Sequence, residues 1–191
     1  NKRNKNYTNI FVSHIVNIDN LNSTKDFYFQ NMPMISNKYK KTLIVLINHN
    51  NISIELLKKT QYLKNYDVII LSHNLKFKNK IKILYNSLRV FFKILFDIFF
   101  KYKSNENRLI MLNTLPNIFR DNTQFTFRFF NQFQEIMRNN KVKNIFFTYE
   151  GYAWEKALSI IIKKYYKNSR CIGYQHSRLF KYHPSIKKED L

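Results

Sequence analysis

Glycine is nearly missing from this chain: two of 191 residues, Gly151 and Gly173. Two glycines cannot build a GxGxxG turn or a Walker loop, so no glycine-rich phosphate cradle is encoded. A single cysteine, Cys171, excludes a disulfide framework and a cysteine-built zinc site. No run of about 18 uncharged apolar residues exists, which excludes a conventional membrane-spanning helix. Acidic residues are scarce as well, 12 against 33 Lys and Arg, giving a formal net charge of +21. The chain opens at Asn1 rather than Met and shows no cleavable leader. It is expected to be a soluble part of a longer protein.

What is plentiful is apolar and aromatic. The 45% apolar and 17% aromatic content supports one buried core and argues against disorder. Ile, Lys, Asn, Phe and Tyr, whose codons are rich in A and T, make up 105 of the 191 residues. Nucleotide composition is therefore a sufficient cause of much of the lysine excess. The distribution agrees, with 7, 9, 8 and 9 Lys and Arg in the stretches 1–50, 51–100, 101–150 and 151–191. A nucleic-acid footprint concentrates its charge on one helix or stripe. Arg also reads phosphates and bases better than Lys, yet Lys leads by 25 to 8. Nucleic acid is thus an unfavoured partner. The overall field still favours anions, whether nucleotide-sugars or acidic lipids.

The pattern along the chain alternates strands and helices. Residues 8–16 read as a strand, and 25–36 as a short helix whose end Pro33 obscures. Leu43 to Ile47 has no polar alternation, as suits a strand buried on both faces of a parallel sheet. Residues 52–63 have near-helical spacing, and Asp67 to Leu71 is the next buried strand. The segment 77–102 is the longest periodic one. Ile81, Leu84, Leu88, Phe91, Phe92, Leu95, Phe96 and Phe99 follow the amphipathic rule, and Asp97 suits a core helix covering the sheet. Its Phe-rich face and surrounding lysines also fit a helix lying on an anionic membrane. A loop with Pro116 leads to a helix from about Asn122, then come a strand at 144–149, a helix at 153–166 and a strand at 170–174. The expectation is an α/β fold, a doubly wound, mostly parallel Rossmann-like sheet with helices on both faces. Residues 1–177 form the domain, and 178–191 a charged tail leading to a further domain.

Polar residues fall where the strands end. Ser13-His14, Asn48-His49 and Ser72-His73 follow the first three strands. Tyr149-Glu150-Gly151 and Gly173-Tyr174-Gln175-His176 follow the last two. In a parallel sheet those ends share one edge, where open α/β folds bind ligands. Gly151 lets the chain turn without a Cβ clash, and the helix beginning at Ala153 exposes N-terminal amides. Glu150 is placed there to meet a ligand. Trp154, Leu158, Ile161, Ile162 and Tyr165 form the buried stripe of that helix. Ala153 and Ala157 allow close packing on the sheet. Glu155 adds a favourable charge to its first turn or contacts substrate. Gly173 permits close backbone approach, and His176 offers a base or a hydrogen-bond donor.

The stretch Tyr149-Glu150-Gly151-Tyr152-Ala153-Trp154-Glu155-Lys156-Ala157-Leu158, followed by Ile172-Gly173-Tyr174-Gln175-His176-Ser177, resembles bacterial surface-carbohydrate biosynthesis proteins with a GT-B glycosyltransferase-like fold. Residues 11–17 and 47–49 look like the N-terminal half of that group. The resemblance implies an acceptor-side Rossmann-like half of a sugar transferase, with Glu150 and His176 as catalytic candidates. His14, His49, Gly151, Trp154, Glu155, Gly173 and Gln175 would line the substrate. It implies no bound cofactor or metal, since the nucleotide-sugar enters as donor substrate and a second domain holds it. The acceptor would be a glycan or lipid-linked sugar, handled in the cytoplasm or at the inner face of its membrane. The alternatives are a non-catalytic module binding glycan or anionic membrane and, behind it, a nucleic-acid binder.

Overall fold

Six consecutive side chains from Thr42 to Ile47 are buried, and this strand sets the architecture. A strand covered on both faces belongs inside a parallel sheet, because the crossovers that join parallel strands lay helices on its faces. The computed structural model describes residues 7–71, 75, 77–101, 104–138 and 140–175. It is an α/β structure with five parallel strands flanked by helices, a Rossmann-like doubly wound arrangement. The expected sequence of strands is found with small changes of boundary. These are β1 (Asn9–His14), β2 (Thr42–Ile47), β3 (Asp67–Leu71), β4 (Asn144–Thr148) and β5 (Arg170–Tyr174). Their spatial order is β3-β2-β1-β4-β5. The winding reverses between β1 and β4, whose register pairs Asn9 with Asn144 and Val12 with Phe147. Thr148 lies beside Tyr174 on β5, so the chain leaves both strands at the same edge.

The helices are α1 (Met32–Tyr39), α2 (Ile54–Lys58), α3 (Gln61–Asn65), α4 (Phe77–Phe100), α5 (Asn105–Thr114), α6 (Asp121–Arg138) and α7 (Ala153–Tyr165). Short 3-10 turns at Asp19–Asn22 and Leu115–Phe119 complete the described elements. Two sequence expectations shift. The helix expected at 25–36 begins only at Met32, because Pro33 occupies the first turn, where its missing N–H costs nothing. The segment 52–63 contains two short helices rather than one. The Ser53 side chain caps the first, accepting from the Leu56 N–H at 3.3 Å.

The chain divides into two compact units, one of residues 1–73 with 133–191 and one of residues 74–132. In the sheet unit, Ile10, Phe11, Val12, Ile145 and Phe147 are buried with β2. Leu158, Ile161 and Ile162 of α7 are buried as expected, whereas Tyr165 is exposed. Ala153 is exposed too and Ala157 only half-buried, so α7 relies on its larger side chains. A cluster of Ile15, Leu21, Ile44, Leu46, Leu57 and Tyr62 fills the side beneath α2 and α3. Phe11 stacks on Phe146 at 4.5 Å and meets Phe29 edge-on at 5.2 Å. In the other unit, α4 packs with α5 and the 115–119 turn, with Phe91 5.9 Å from Phe119. There the Ser87 hydroxyl is buried on α4 and accepts from Gln124 Nε2 at 2.9 Å.

Removing a branched side chain from β2 leaves a cavity that a doubly covered strand cannot collapse. Ile44, fully buried, is the sharpest case. Ile44→Ala should lower stability by about 2–5 kcal/mol. Urea denaturation followed by circular dichroism measures the shift.

Candidate functional site

The carboxyl edge of the sheet is shaped by three loops, each fixed by its own polar residues. After β1 the chain reaches the segment 26–30, where the Asp26 and Gln30 backbones bond each other in both directions at 3.0 Å. Gln30 takes a left-handed φ of 52° to close that loop. Asp26, 4% exposed, organises it. Its Oδ1 accepts from the N–H groups of Tyr28 (2.8 Å) and Phe29 (2.9 Å) and from the Ser13 hydroxyl (3.0 Å). Its Oδ2 accepts from the Tyr62 hydroxyl at 2.8 Å. Burial first, then the Asp26 charge, pushes the Tyr62 phenol far above its ordinary value, so it remains a donor.

After β2, Asn48 donates to the Ile52 carbonyl at 2.8 Å and accepts from the Ile52 N–H at 3.0 Å. Asn50 reaches back to the Val16 carbonyl at 2.9 Å. These bonds fix the turn that carries His49. After β4, Gly151 adopts a φ of 90°, which an L side chain rarely tolerates. Glu155, 0% exposed, reaches back to accept from the N–H groups of Glu150 (3.0 Å), Gly151 (2.8 Å) and Tyr152 (2.8 Å). Burial raises its carboxyl above the usual range, while those three amides pull it down. A carboxylate engaged in this way shapes the turn. We therefore assign Glu155 to positioning rather than to substrate contact.

Between these loops, His14 closes the winding reversal. Its Nδ1 lies 2.8 Å from His49 Nε2, and its Nε2 lies 3.2 Å from the Thr148 hydroxyl at the end of β4. The two imidazoles stack at 5.0 Å, while Tyr28 and Trp154 meet His14 edge-on at 5.5 and 5.2 Å. Burial, then the neighbouring His49, depresses the His14 pKa from 6.5 to about 3. Neutral His14 has one donor and one acceptor nitrogen, and both tautomers satisfy the chain. If His14 donates to His49, it accepts from Thr148. If it accepts from His49, it donates to Thr148. The second arrangement also admits a protonated His49, which is exposed while His14 is half-buried.

The expected residues separate by role. His14 and His49 are brought together, and Glu150, half-buried, carries a charge felt by the Tyr28 hydroxyl of the same edge. Burial first and Glu150 next raise the Tyr28 phenol. Trp154 is 4% exposed and forms the wall behind His14, so its place is in the core of the site. At Gly173 a Cβ would lie 3.0 Å from Tyr149 Cβ, and the close approach there is to Tyr149. Gln175 is half-buried just past β5. His73, His176 and the tail 178–191 lie outside the described residues. Asp26, Tyr28 and Thr148 were not singled out from the sequence. An Asp two residues before an aromatic N–H donor is an Asx-turn signal, hidden by reading the segment as helix. Among the described residues no third His, Cys, Asp or Glu joins the histidine pair in a grouping able to hold a metal ion.

A large cleft of about 990 Å³ opens at the other end of the strands, lined by Arg138, Lys143, Lys167 and Arg170 among others. It lies at the amino ends of β4 and β5, where exposed cations are plentiful, and lacks the hydrogen-bonded chain of the carboxyl edge. No protein-family model, curated protein or solved structure matches this chain.

Because folding depresses the His14 pKa, the unfolded chain binds a proton at this residue that the folded one does not, between pH 6.5 and about 3. The stability it contributes is complete above 6.5 and falls as the pH drops through that window. His14→Gln should flatten the acid limb of a stability-against-pH curve measured by urea unfolding. In proton NMR of the wild type, one imidazole should fail to titrate above about pH 4. All the rings titrating near their ordinary value would contradict the burial argument.

Proposed function

We propose that the carboxyl edge binds a saccharide hydroxyl, and that the chain is the acceptor-side domain of a nucleotide-sugar-dependent transferase of bacterial surface polysaccharide synthesis. One observation carries the reading: the His49–His14–Thr148 chain bridging β1, β2 and β4 where the winding reverses, with Glu150 on the adjoining loop. Ligands of open α/β sheets sit in the crevice outside that reversal. The resemblance of residues 149–177 to surface-carbohydrate biosynthesis proteins supplies the substrate class.

In this reading His49 accepts the proton of an acceptor hydroxyl, and His14, held neutral and oriented by Thr148, sets the direction of its ring. Glu150 takes a hydrogen bond from a neighbouring sugar hydroxyl or serves as the base itself. The freed oxygen forms a bond to the anomeric carbon of the donor. The bond from that carbon to the phosphate oxygen breaks, and the nucleotide leaves with the electron pair. Having no glycine-rich loop, this sheet leaves the donor's phosphates to residues outside it.

The test is nucleotide-sugar turnover by the full-length protein with glycan acceptors. His49→Ala and Glu150→Gln should each lower transfer by roughly 10²–10⁴-fold while the circular dichroism spectrum is unchanged. His176→Ala belongs in the same series, since the sequence offers it as a base. Near-normal turnover in all three variants would remove the carboxyl edge from the chemistry. Saccharide-induced shifts of the His14 and His49 resonances, without turnover of any donor, would make the domain a binding module instead.

A further inference from the structure

Helix α4 turns most of its expected core stripe outward, although Phe91 and Leu95 are half-buried. Ile81, Leu84, Leu88, Phe92, Phe96 and Phe99 are between 39% and 68% exposed. The positions of α4 that are buried are Ile83, Ser87 and Ile98, on a different arc. Isolated exposed apolar side chains are ordinary, but a contiguous row of six along more than four turns marks a surface that meets a partner.

The charges beside the row indicate which partner. Lys78, Lys82, Arg89 and Lys93 each follow a residue of the row or its extension at Phe77, so they form a second row about 100° around the helix. The unit 74–132 holds 11 Lys and Arg against 3 Asp and Glu. A second copy of the same face would bring two strongly positive surfaces together, so like-charge repulsion opposes self-association. An anionic bilayer surface satisfies both rows, because the apolar side chains enter the acyl boundary while lysines and arginine remain among the headgroups. No described helix is long and apolar enough to cross a membrane, which is compatible with one lying along its surface.

We propose that α4 is an interfacial docking helix for an anionic lipid surface. It seats Phe92, Phe96 and Phe99 below the headgroups and its Lys78, Lys82, Arg89 and Lys93 row among them. Its test does not depend on turnover.

The experiment is co-sedimentation of the full chain with vesicles of phosphatidylcholine alone and with roughly a third phosphatidylglycerol, at about 0.15 M salt. Binding to the anionic vesicles should be at least about tenfold tighter than to the neutral ones. Phe92→Ser with Phe96→Ser, and separately Phe92→Glu with Phe96→Glu, should each weaken it by about tenfold or more. Both pairs change exposed side chains, and circular dichroism verifies folding. Lys82→Glu with Lys93→Glu should weaken binding more than Lys143→Glu with Lys167→Glu, which removes the same charge from the amino-edge cleft. Phe92→Trp should shift its emission to the blue on vesicle addition. Three results would overturn the proposal. One is no binding to anionic vesicles. Another is binding that ignores the Phe substitutions and follows total charge alone. The third is self-association that the Phe variants abolish in the absence of vesicle binding.

Discussion

Two buried carboxylates hold the carboxyl edge of this protein together. Taking an ionised carboxylate out of water costs several kcal/mol unless hydrogen bonds replace its hydration. Asp26 receives four such bonds and Glu155 those of three consecutive amides, so each has nearly the hydrogen-bond complement it would have in solution. In a chain with so few acids, two placed under the same edge determine its shape. Asp26 sets where Tyr28 and Phe29 stand; Glu155 sets where Glu150 leaves β4. Neither carboxylate needs to touch a ligand for the edge to depend on it.

The topology adds what the carboxylates cannot. The winding reverses between β1 and β4, and open α/β sheets bind their ligands at the carboxyl ends beside such a reversal. His14 at the end of β1 bonds Thr148 at the end of β4, and the β2 loop brings His49 against His14. Trp154 and Tyr28 shield His14 edge-on, which is the burial that keeps it neutral. His49, by contrast, is exposed. Two identical side chains thus occupy different surroundings at one sheet edge, His14 half-buried and His49 exposed.

The strands were legible because burial on both faces leaves an uninterrupted apolar run, and only a parallel sheet makes such a run common. β2 is of this kind; β3 shows the same apolar run but lies at the sheet edge, where Asp67 to Ile70 are only half-buried and Leu71 alone is buried, so the expectation of a buried strand there is corrected. The Asp26 loop was not legible. Phe27 was grouped with the helix that in fact begins at Met32, whereas a single carboxylate accepting four hydrogen bonds holds residues 26–30 in a turn. Trp154 and Glu155 were legible as important but not as to role. A motif shows that a residue is near a turn; only contacts show that the indole backs onto His14 and the carboxylate faces inward to the amides.

The stripe on α4 exposes a different limit. Periodicity reports that apolar residues share an arc of a helix, but a helix with two apolar arcs gives no sign of which one faces the core. On α4 the wider and more aromatic arc is the outward one. The buried arc includes Ser87, a residue that sequence reading would put on the surface, made tolerable there by Gln124 and by its own bond to the Ile83 carbonyl. The α4 contact with the 115–119 turn includes Phe91, which meets Phe119 at 5.9 Å, whereas Phe92, Phe96 and Phe99 are exposed. A row of phenylalanines that the core leaves uncovered carries a standing cost in hydration and aggregation risk. Codon bias is a sufficient cause of much of the lysine excess. It does not account for the sorting of Phe and Lys into adjacent rows on one helix, and that sorting is what a lipid surface would recognise.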